Sequence, residues 1–279
     1  MQLISYIQIL RPINLLISII CILLSDFIIN QSSQDLLPLM LVVFLLGGFS
    51  NIINDILDYK IDLKNNLNRP IVTNKISIKA AFLYALFLFF LACYLTLNFN
   101  AITQSLIFFV IIPLILLYTP IFKKIPLLGN FVVSAILSMV FIITSTYLLA
   151  KVHFSIIPPI IFSFFLMLIR EIVKDIADLE GDRKFNINTL PVKFGINVAI
   201  IFIYLFSFLL LVASILVYYF YESYNLFYLI NIFIFIHFPL FFSIYNLSKN
   251  KTSIYCIYLS KVLKLLTIFG VIVIYLANN

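Results

Sequence analysis

Nine long apolar segments, separated by short polar connections, limit what this chain can fold into. They lie at 12–30, 36–57, 77–98, 101–118, 127–149, 155–174, 197–220, 225–247 and 257–277. A helix that crosses the hydrocarbon core of a bilayer needs about 20 mostly apolar residues, so each segment is long enough to span it. We therefore predict an all-α, polytopic membrane protein with nine transmembrane helices, in a single domain that covers residues 1–279.

The composition excludes several other classes of protein. Only 10% of the residues are charged, against about 25% in soluble domains, which leaves little chain for a soluble enzyme on a membrane anchor. A membrane β-barrel is excluded as well, because its strands would alternate polar and apolar residues and these segments are continuously apolar. Three cysteines, Cys21, Cys93 and Cys256, lie in apolar segments without a CxxC pair, so neither disulfide nor zinc chemistry is expected.

The charges are distributed unevenly between the two sides of the predicted bundle. An odd number of spans places the termini on opposite sides, and every Lys and Arg except Lys151 then falls at segment ends on the side of the N-terminus. The positive-inside rule makes that side cytoplasmic. The net charge of +7 thus reflects membrane topology, and no nucleic-acid partner is expected.

Two acidic clusters repeat one spacing at the cytoplasmic ends of the second and sixth segments. They read Asn51-Ile-Ile-Asn54-Asp55-Ile-Leu-Asp58-Tyr-Lys-Ile-Asp62 and Arg170-Glu171-Ile-Val-Lys174-Asp175-Ile-Ala-Asp178-Leu-Glu180-Gly181-Asp182. Residues at i, i+4, i+7 and i+11 share one face of a helix, so each helix is expected to carry a stripe of carboxylates. Because four segments separate Asp58 from Asp178, we predict two related four-helix halves in the same orientation, followed by a ninth helix.

Stacked carboxylates repel each other, by roughly 4 kcal/mol for a pair at about 4 Å in a medium of effective dielectric near 20. A bound divalent cation would remove that cost, and ligands that are all oxygen favour Mg²⁺, which commonly completes its shell with water and substrate phosphate. Ion pairing on a solvated rim is the competing interpretation, but it does not explain why one spacing occurs twice.

Cationic side chains accompany both clusters. Arg69 follows the first, Lys123 and Tyr118 lie at the end of the fourth segment, and Arg170 and Lys174 interleave with the second cluster. A diphosphate bridged by Mg²⁺ requires both metal-bound carboxylates and direct cationic donors. These residues therefore predict a site for a diphosphate.

The motifs resemble those of the UbiA superfamily of intramembrane prenyltransferases. The similarity covers Arg11-Pro12-x-Asn14, Asn54-Asp55-x-x-Asp58-x-x-x-Asp62, Asn68-Arg69-Pro70-Ile71, Tyr118-Thr-Pro-Ile-Phe-Lys123-Lys124 before Gly129-Asn130, and Asp175-x-x-Asp178-x-x-Gly181-Asp182. One departure is Asn74, where relatives often carry Gly; Asn also tolerates a left-handed turn.

The resemblance implies nine helices around a central cavity and Mg²⁺ that grips a polyprenyl diphosphate. It implies metal binding by Asn54, Asp55, Asp58, Asp62, Asp175, Asp178 and Asp182, with Asp55 and Asp175 as supporting members. It implies substrate contacts from Arg69, Lys123, Lys174, Arg11, Asn14, Tyr118 and Arg170, and a catalytic group of Asp58, Asp62, Asp178, Asp182 and Lys123.

Within the superfamily, residues 170–184 are most similar to the archaeal digeranylgeranylglyceryl phosphate synthases. This implies transfer from geranylgeranyl diphosphate to geranylgeranylglyceryl phosphate in the cell membrane, without an obligate protein partner. Two alternatives remain at this point. One is an aromatic quinone-precursor acceptor. The other is an ion-coupled transporter, although transporter sites usually lie near the membrane midplane and these clusters lie at helix ends.

Overall fold

A computed structural model describes residues 2–29, 35–64 and 67–277, and no strand occurs in these ranges. Nine of the described helices are long and apolar enough to cross a membrane, with mean hydropathy from 1.9 to 2.9. They are α1 (Pro12–Ile29), α2 (Leu37–Leu57), α3 (Ile78–Thr96), α4 (Ala101–Tyr118), α5 (Leu128–Leu149), α6 (Phe154–Ala177), α7 (Ile196–Phe220), α8 (Leu226–Lys249) and α9 (Ser253–Ala277). The prediction of an all-α protein with nine spans is confirmed.

The outer surface of the bundle suits a lipid environment. Large apolar side chains such as Phe87, Phe109 and Tyr219 point outward, and Phe109 is 79% exposed. Hydrocarbon accommodates such a surface, and helices satisfy their own backbone hydrogen bonds there. The most buried spans are α5 and α6. On α5, Ser134 and Thr144 bond to carbonyls of their own helix at 2.7 and 2.8 Å.

A shared irregularity supports the prediction of two related halves. The fourth helix of each half contains one π-helical turn, Ile107–Ile111 in α4 and Phe233–His237 in α8. A proline follows each turn, Pro113 and Pro239. Proline has no N–H and its ring clashes with the carbonyl four residues earlier, and a π-turn is one way to relieve that conflict.

The acidic motifs do not lie on straight helices. α2 ends at Leu57 and α6 ends at Ala177, and a short helix follows each, Tyr59–Lys64 and Leu179–Lys184. The residues at the two breaks, Asp58 and Asp178, have nearly equal backbone angles (φ −86°, ψ 2° and φ −93°, ψ 6°). The expectation of one continuous carboxylate stripe per helix is therefore wrong. The break lets the two short helices pack against each other.

Other differences from the predicted boundaries are small. α9 begins at Ser253 rather than at 257, and α6 extends to Ala177. An additional short helix, Gln2–Ile9, precedes α1 and contacts α2. Asn74 has φ 55°, so it does adopt the left-handed turn that the sequence suggested.

Candidate functional site

Lys123 joins the first acidic motif to the loop between α4 and α5. Its ammonium donates to Oδ2 of Asp58 at 2.6 Å. Lys123 lies in a single 3₁₀ turn, Phe122–Lys124, which packs closely on the start of α5. Gly129 permits this approach, because a Cβ there would lie 2.9 Å from Cα of Lys123. Leu127 adopts φ 66° in the same loop, an uncommon conformation that clusters at functional sites.

Lys123 also lies among carboxylates of both motifs. Burial lowers the pKa of Lys123, but Asp58, followed by Asp182 and Asp62, raises it, and the pKa ends above its usual value. One cation thus balances charges that come from the segments that follow α2 and α6.

Arg69 and Arg11 hold the rest of the first motif. Arg69 donates to Asp55 at 2.8 Å and to Asp62 at 2.5 Å, and Arg11 also donates to the buried Asp55. Burial raises the pKa of Asp62 to about 7; Arg69 lowers it, and Asp58 and Asp55 raise it. Asn54 accepts a hydrogen bond from the hydroxyl of Thr119.

The second motif has fewer charged partners. Asp182 accepts a hydrogen bond from Thr189 at 3.2 Å, and burial raises its pKa to about 6, with Lys123 lowering it and Asp178 raising it. Asp175 accepts from the amide of Asn130 at 2.8 Å. The carboxylate of Asp178 makes no hydrogen bond or ion pair with a described residue, and burial raises its pKa.

Three hydrogen-bond donors at the site were not predicted as functional residues. They are Thr119, Asn130 and Thr189, each bonded to an acidic-motif residue. The sequence offered a signal for the first two, since both belong to the Tyr118 and Gly129 motifs, although no role was predicted for them. Thr189 follows the second motif by seven residues and carries no comparable signal.

A cavity of about 350 Å³ extends from the site into the bundle. Its deeper wall is apolar and includes Leu46, Ile107, Ile136 and Val140. Its polar part is lined by Arg11, Asn14, Asn54, Tyr118, Arg170, Glu171, Lys174 and Lys264. Such a shape suits a ligand with a charged head and a long apolar tail.

Two further ion pairs and one hydrogen bond lie in the polar part of the cavity. Glu171 accepts from Arg170 at 3.0 Å and from Lys174 at 2.7 Å. Asn14 accepts from the ammonium of Lys264 at 2.5 Å. A second pocket of about 300 Å³ lies against Arg11 and Arg69. Six of the residues predicted for the site line the larger cavity: Arg11, Asn14, Asn54, Tyr118, Arg170 and Lys174. Asp55 and Arg69 line the second pocket, with Arg11. The other predicted residues line neither space: Asp58, Asp62, Lys123, Asp175, Asp178 and Asp182.

The acidic residues suit a hard metal ion that keeps some non-protein ligands. In the described ranges, no three His, Cys, Asp or Glu side chains converge closely enough to form a cage by themselves. The available donors are all oxygens, and the raised pKa of Asp62, Asp178 and Asp182 reflects carboxylates gathered away from water. Mg²⁺ typically binds through one or two carboxylates, water and substrate phosphate. Arg11 and Arg69 donate hydrogen bonds to Asp55, and Asn130 donates one to Asp175.

Comparison with known proteins gives matches over nearly the whole chain. Residues 15–275 match the model of the UbiA prenyltransferase family. The digeranylgeranylglyceryl phosphate synthase of Methanosphaera stadtmanae is 34% identical over 230 residues, which cover 82% of this chain and 83% of that protein. The enzyme of the same name from Methanothermobacter thermautotrophicus is 34% identical over 200 residues, covering 70% of this chain and 68% of that protein.

Solved structures share the fold. A structure of digeranylgeranylglyceryl phosphate synthase superposes with a TM-score of 0.74 at 26% identity, over 99% of this chain and 98% of the other. A UbiA homolog from Archaeoglobus fulgidus bound to GPP and Mg²⁺ gives a TM-score of 0.67 at 20% identity, over 97% of this chain and 99% of the other.

Proposed function

Because the chain belongs to the UbiA prenyltransferase family, we propose that it transfers a geranylgeranyl group from geranylgeranyl diphosphate to the free hydroxyl of geranylgeranylglyceryl phosphate. The product carries the second ether bond of an archaeal membrane lipid. One observation carries the proposal: Lys123 pairs with Asp58 where the short helices of both acidic motifs pack together, and Asn54 and Lys174 from the two motifs line a cavity whose deeper wall is apolar. The names of the relatives support the choice of acceptor.

The metal-binding residues are inferred from the two motifs. We assign Mg²⁺ to Asn54, Asp58, Asp62, Asp178 and Asp182, with Asp55 and Asp175 holding their neighbours in position through Arg11, Arg69 and Asn130. Bound Mg²⁺ supplies positive charge that stabilises the diphosphate leaving group. The carboxylate of Asp178, which has no hydrogen-bond or ion-pair partner among the described residues, could bind the ion without giving up a protein contact.

The cations of the site act on the leaving group. Lys123, Arg69 and Lys174 donate to diphosphate oxygens, and Tyr118 lines the cavity beside them. The allylic C–O bond breaks and its electron pair stays on the diphosphate oxygen, whose growing charge these donors stabilise. The hydroxyl oxygen of the acceptor then bonds to the allylic carbon as its proton is released. The apolar wall limits the access of competing water.

The distribution of basic residues supports a cytoplasmic position for this chemistry. The order of the nine spans places all Lys and Arg except Lys151 at one end of the bundle. Lys123 and both acidic motifs lie at the same end. By the positive-inside rule, the multi-pass protein has this end and its N-terminus at the cytoplasmic face.

Prenyl transfer by the purified protein tests the proposal. Geranylgeranyl diphosphate is supplied with Mg²⁺, and geranylgeranylglyceryl phosphate and 4-hydroxybenzoate are offered separately. We expect a doubly prenylated glycerol phosphate that EDTA abolishes. Transfer only to the aromatic ring would keep the family and overturn the acceptor, and transfer to neither would overturn the proposed function.

A matched pair of variants tests the role of the second motif. Asp178→Asn removes the partnerless carboxylate and should abolish turnover while the helix content by circular dichroism is unchanged. Glu180→Gln removes an exposed acid two residues away and should retain activity. Equal activity of the two variants would contradict the assignment of Asp178.

A further inference from the structure

Lys264 lies where membrane topology alone does not explain a charge. It is eleven residues beyond the first residue of α9, about 16 Å along the helix axis at 1.5 Å per residue. Lys264 lines the cavity, and its ammonium donates to Oδ1 of Asn14 at 2.5 Å. Asn14 is the third residue of α1. The long side chain thus reaches back toward the cytoplasmic end of the bundle, as buried lysines commonly do.

Arg170 approaches the same region from α6. Its Nε donates to the backbone carbonyl of Ser260 at 3.3 Å. Ser260 lies four residues before Lys264 and hence on the same face of α9. Arg170 and Lys264 both line the cavity, so two cations from different helices face one space.

The charges in this space are not balanced. Among the described residues that line the cavity, Glu171 is the only acidic one, and it pairs with Arg170 and Lys174. Arg11 is paired with Asp55 outside the cavity lining. Three cations, Arg170, Lys174 and Lys264, thus line the cavity with one carboxylate, which contacts only the first two. Unbalanced charge at membrane depth is costly and typically marks a binding site.

A phosphate monoester matches this surplus. Such a group carries about −1.5 to −2 charges at pH 7 and three acceptor oxygens. A carboxylate such as that of 4-hydroxybenzoate would supply half of that charge. The donor diphosphate is already provided for by Lys123, Arg69 and Lys174, so Arg170 and Lys264 are available for a second anion.

We propose that Lys264, together with Arg170 and Asn14, forms the subsite for the phosphate of the acceptor, a polyprenyl glycerol phosphate. This inference rests on the proposed function. The subsite holds the head of the acceptor near the cytoplasmic end of the cavity, while the apolar wall receives its chain. Lys264 is a specificity-determining residue: it recognises the phosphate and takes no part in the departure of the diphosphate.

The test removes the charge and keeps a hydrogen-bond donor in the side chain. Lys264→Gln is compared with Lys261→Gln, a control on the same helix whose side chain is exposed, and with Lys264→Arg, which restores the charge. Binding of geranylgeranylglyceryl phosphate is measured by calorimetry in detergent with EDTA, so that metal-dependent turnover does not contribute. KM values for both substrates are then measured with Mg²⁺.

We expect Lys264→Gln to weaken acceptor binding by about tenfold to a hundredfold, the effect of losing a hydrogen bond to a charged group. The KM for geranylgeranyl diphosphate should not change, Lys264→Arg should recover most of the binding, and Lys261→Gln should match the unaltered protein. Geranylgeranylglycerol, which lacks the phosphate, should bind both proteins equally.

The outcomes separate this inference from the proposed function. If the unaltered protein transfers the prenyl group to the phosphorylated acceptor but Lys264→Gln binds that acceptor equally well, the subsite is wrong and the function stands. If Lys264→Gln raises both KM values alike, Lys264 has only a structural role. If the unaltered protein neither binds nor prenylates the acceptor, the proposed function itself fails. Should Lys264→Gln not fold, Arg170→Gln tests the same loss of acceptor binding.

Discussion

Replacement of Lys123 by Met tests how the site balances its charge. The ammonium lies 2.6 Å from Asp58, and the two side chains are only 20% and 12% exposed. Because water reaches the pair poorly, an effective dielectric near 20 applies, and two unit charges at about 4 Å then interact by about 4 kcal/mol. The same interaction with an oxygen of the leaving diphosphate would lower the barrier to prenyl transfer by a comparable amount.

We expect Lys123→Met to lower kcat by about a hundredfold to a thousandfold, the range found when one preorganised donor to a developing oxyanion is removed. It should also lower the Tm of the metal-free protein, since Asp58 loses its partner. Added Mg²⁺ should then raise the Tm more in the variant than in the unaltered protein, because no ammonium competes for the carboxylates. Both quantities are measured on detergent-solubilised protein by product formation and by thermal unfolding.

Lys124→Met is the matched control, since Lys124 is exposed in the same 3₁₀ turn. It should leave kcat and the Mg²⁺-dependent Tm shift unchanged. A kcat for Lys123→Met within about threefold of the control would refute the electrostatic role, because a leaving-group contact is worth far more. A smaller Mg²⁺ shift in Lys123→Met would refute the placement of Lys123 among the metal-binding carboxylates.

Four other predictions concern the acidic residues near Lys123 and the loop that holds it. Burial raises the pKa of Asp62 to about 7 and of Asp182 to about 6, so the folded metal-free protein holds extra protons and its Tm should fall as pH rises from about 4 to about 7. For the same reason the Mg²⁺ concentration at half-maximal thermal stabilisation should rise at least about tenfold from about pH 8 to about pH 5.5; a flat profile would exclude both groups as ligands. Thr189→Val removes the hydroxyl 3.2 Å from Asp182. The pH below which Mg²⁺ stabilisation weakens should then rise by about 0.7 pH units, equivalent to about 1 kcal/mol. An unchanged pH would show that this hydrogen bond does not matter for Mg²⁺ binding. Gly129→Ala places a Cβ 2.9 Å from Cα of Lys123 and should reduce kcat by about tenfold to a hundredfold with unchanged helix content, since small displacements of reacting groups have effects of this size; full activity would show that the loop position is not critical.

Much of the fold could be predicted because hydropathy acts on each segment independently. A run of about 20 apolar residues is stable in hydrocarbon as a helix whatever its neighbours are. The nine spans and their approximate ends were therefore predictable, as was the pairing of the halves from the repeated spacing at Asp58 and Asp178. The breaks at these two residues were not predictable, because the periodicity of side chains continues across them. In the structure the short helices that follow the breaks pack against each other, a contact between distant segments.

The sequence by itself determined which residues are available for the chemistry, since charged groups inside an apolar chain are few and their motifs are distinctive. Only the tertiary structure decided which of them meet. Lys123 and Asp58 are 65 residues apart, and Lys264 and Asn14 are 250 residues apart. Lys264 could be read from the sequence as a cytoplasmic-side charge, but not as a group that faces the cavity. Contacts of this kind depend on how whole helices pack side by side, and local composition carries no information about that packing.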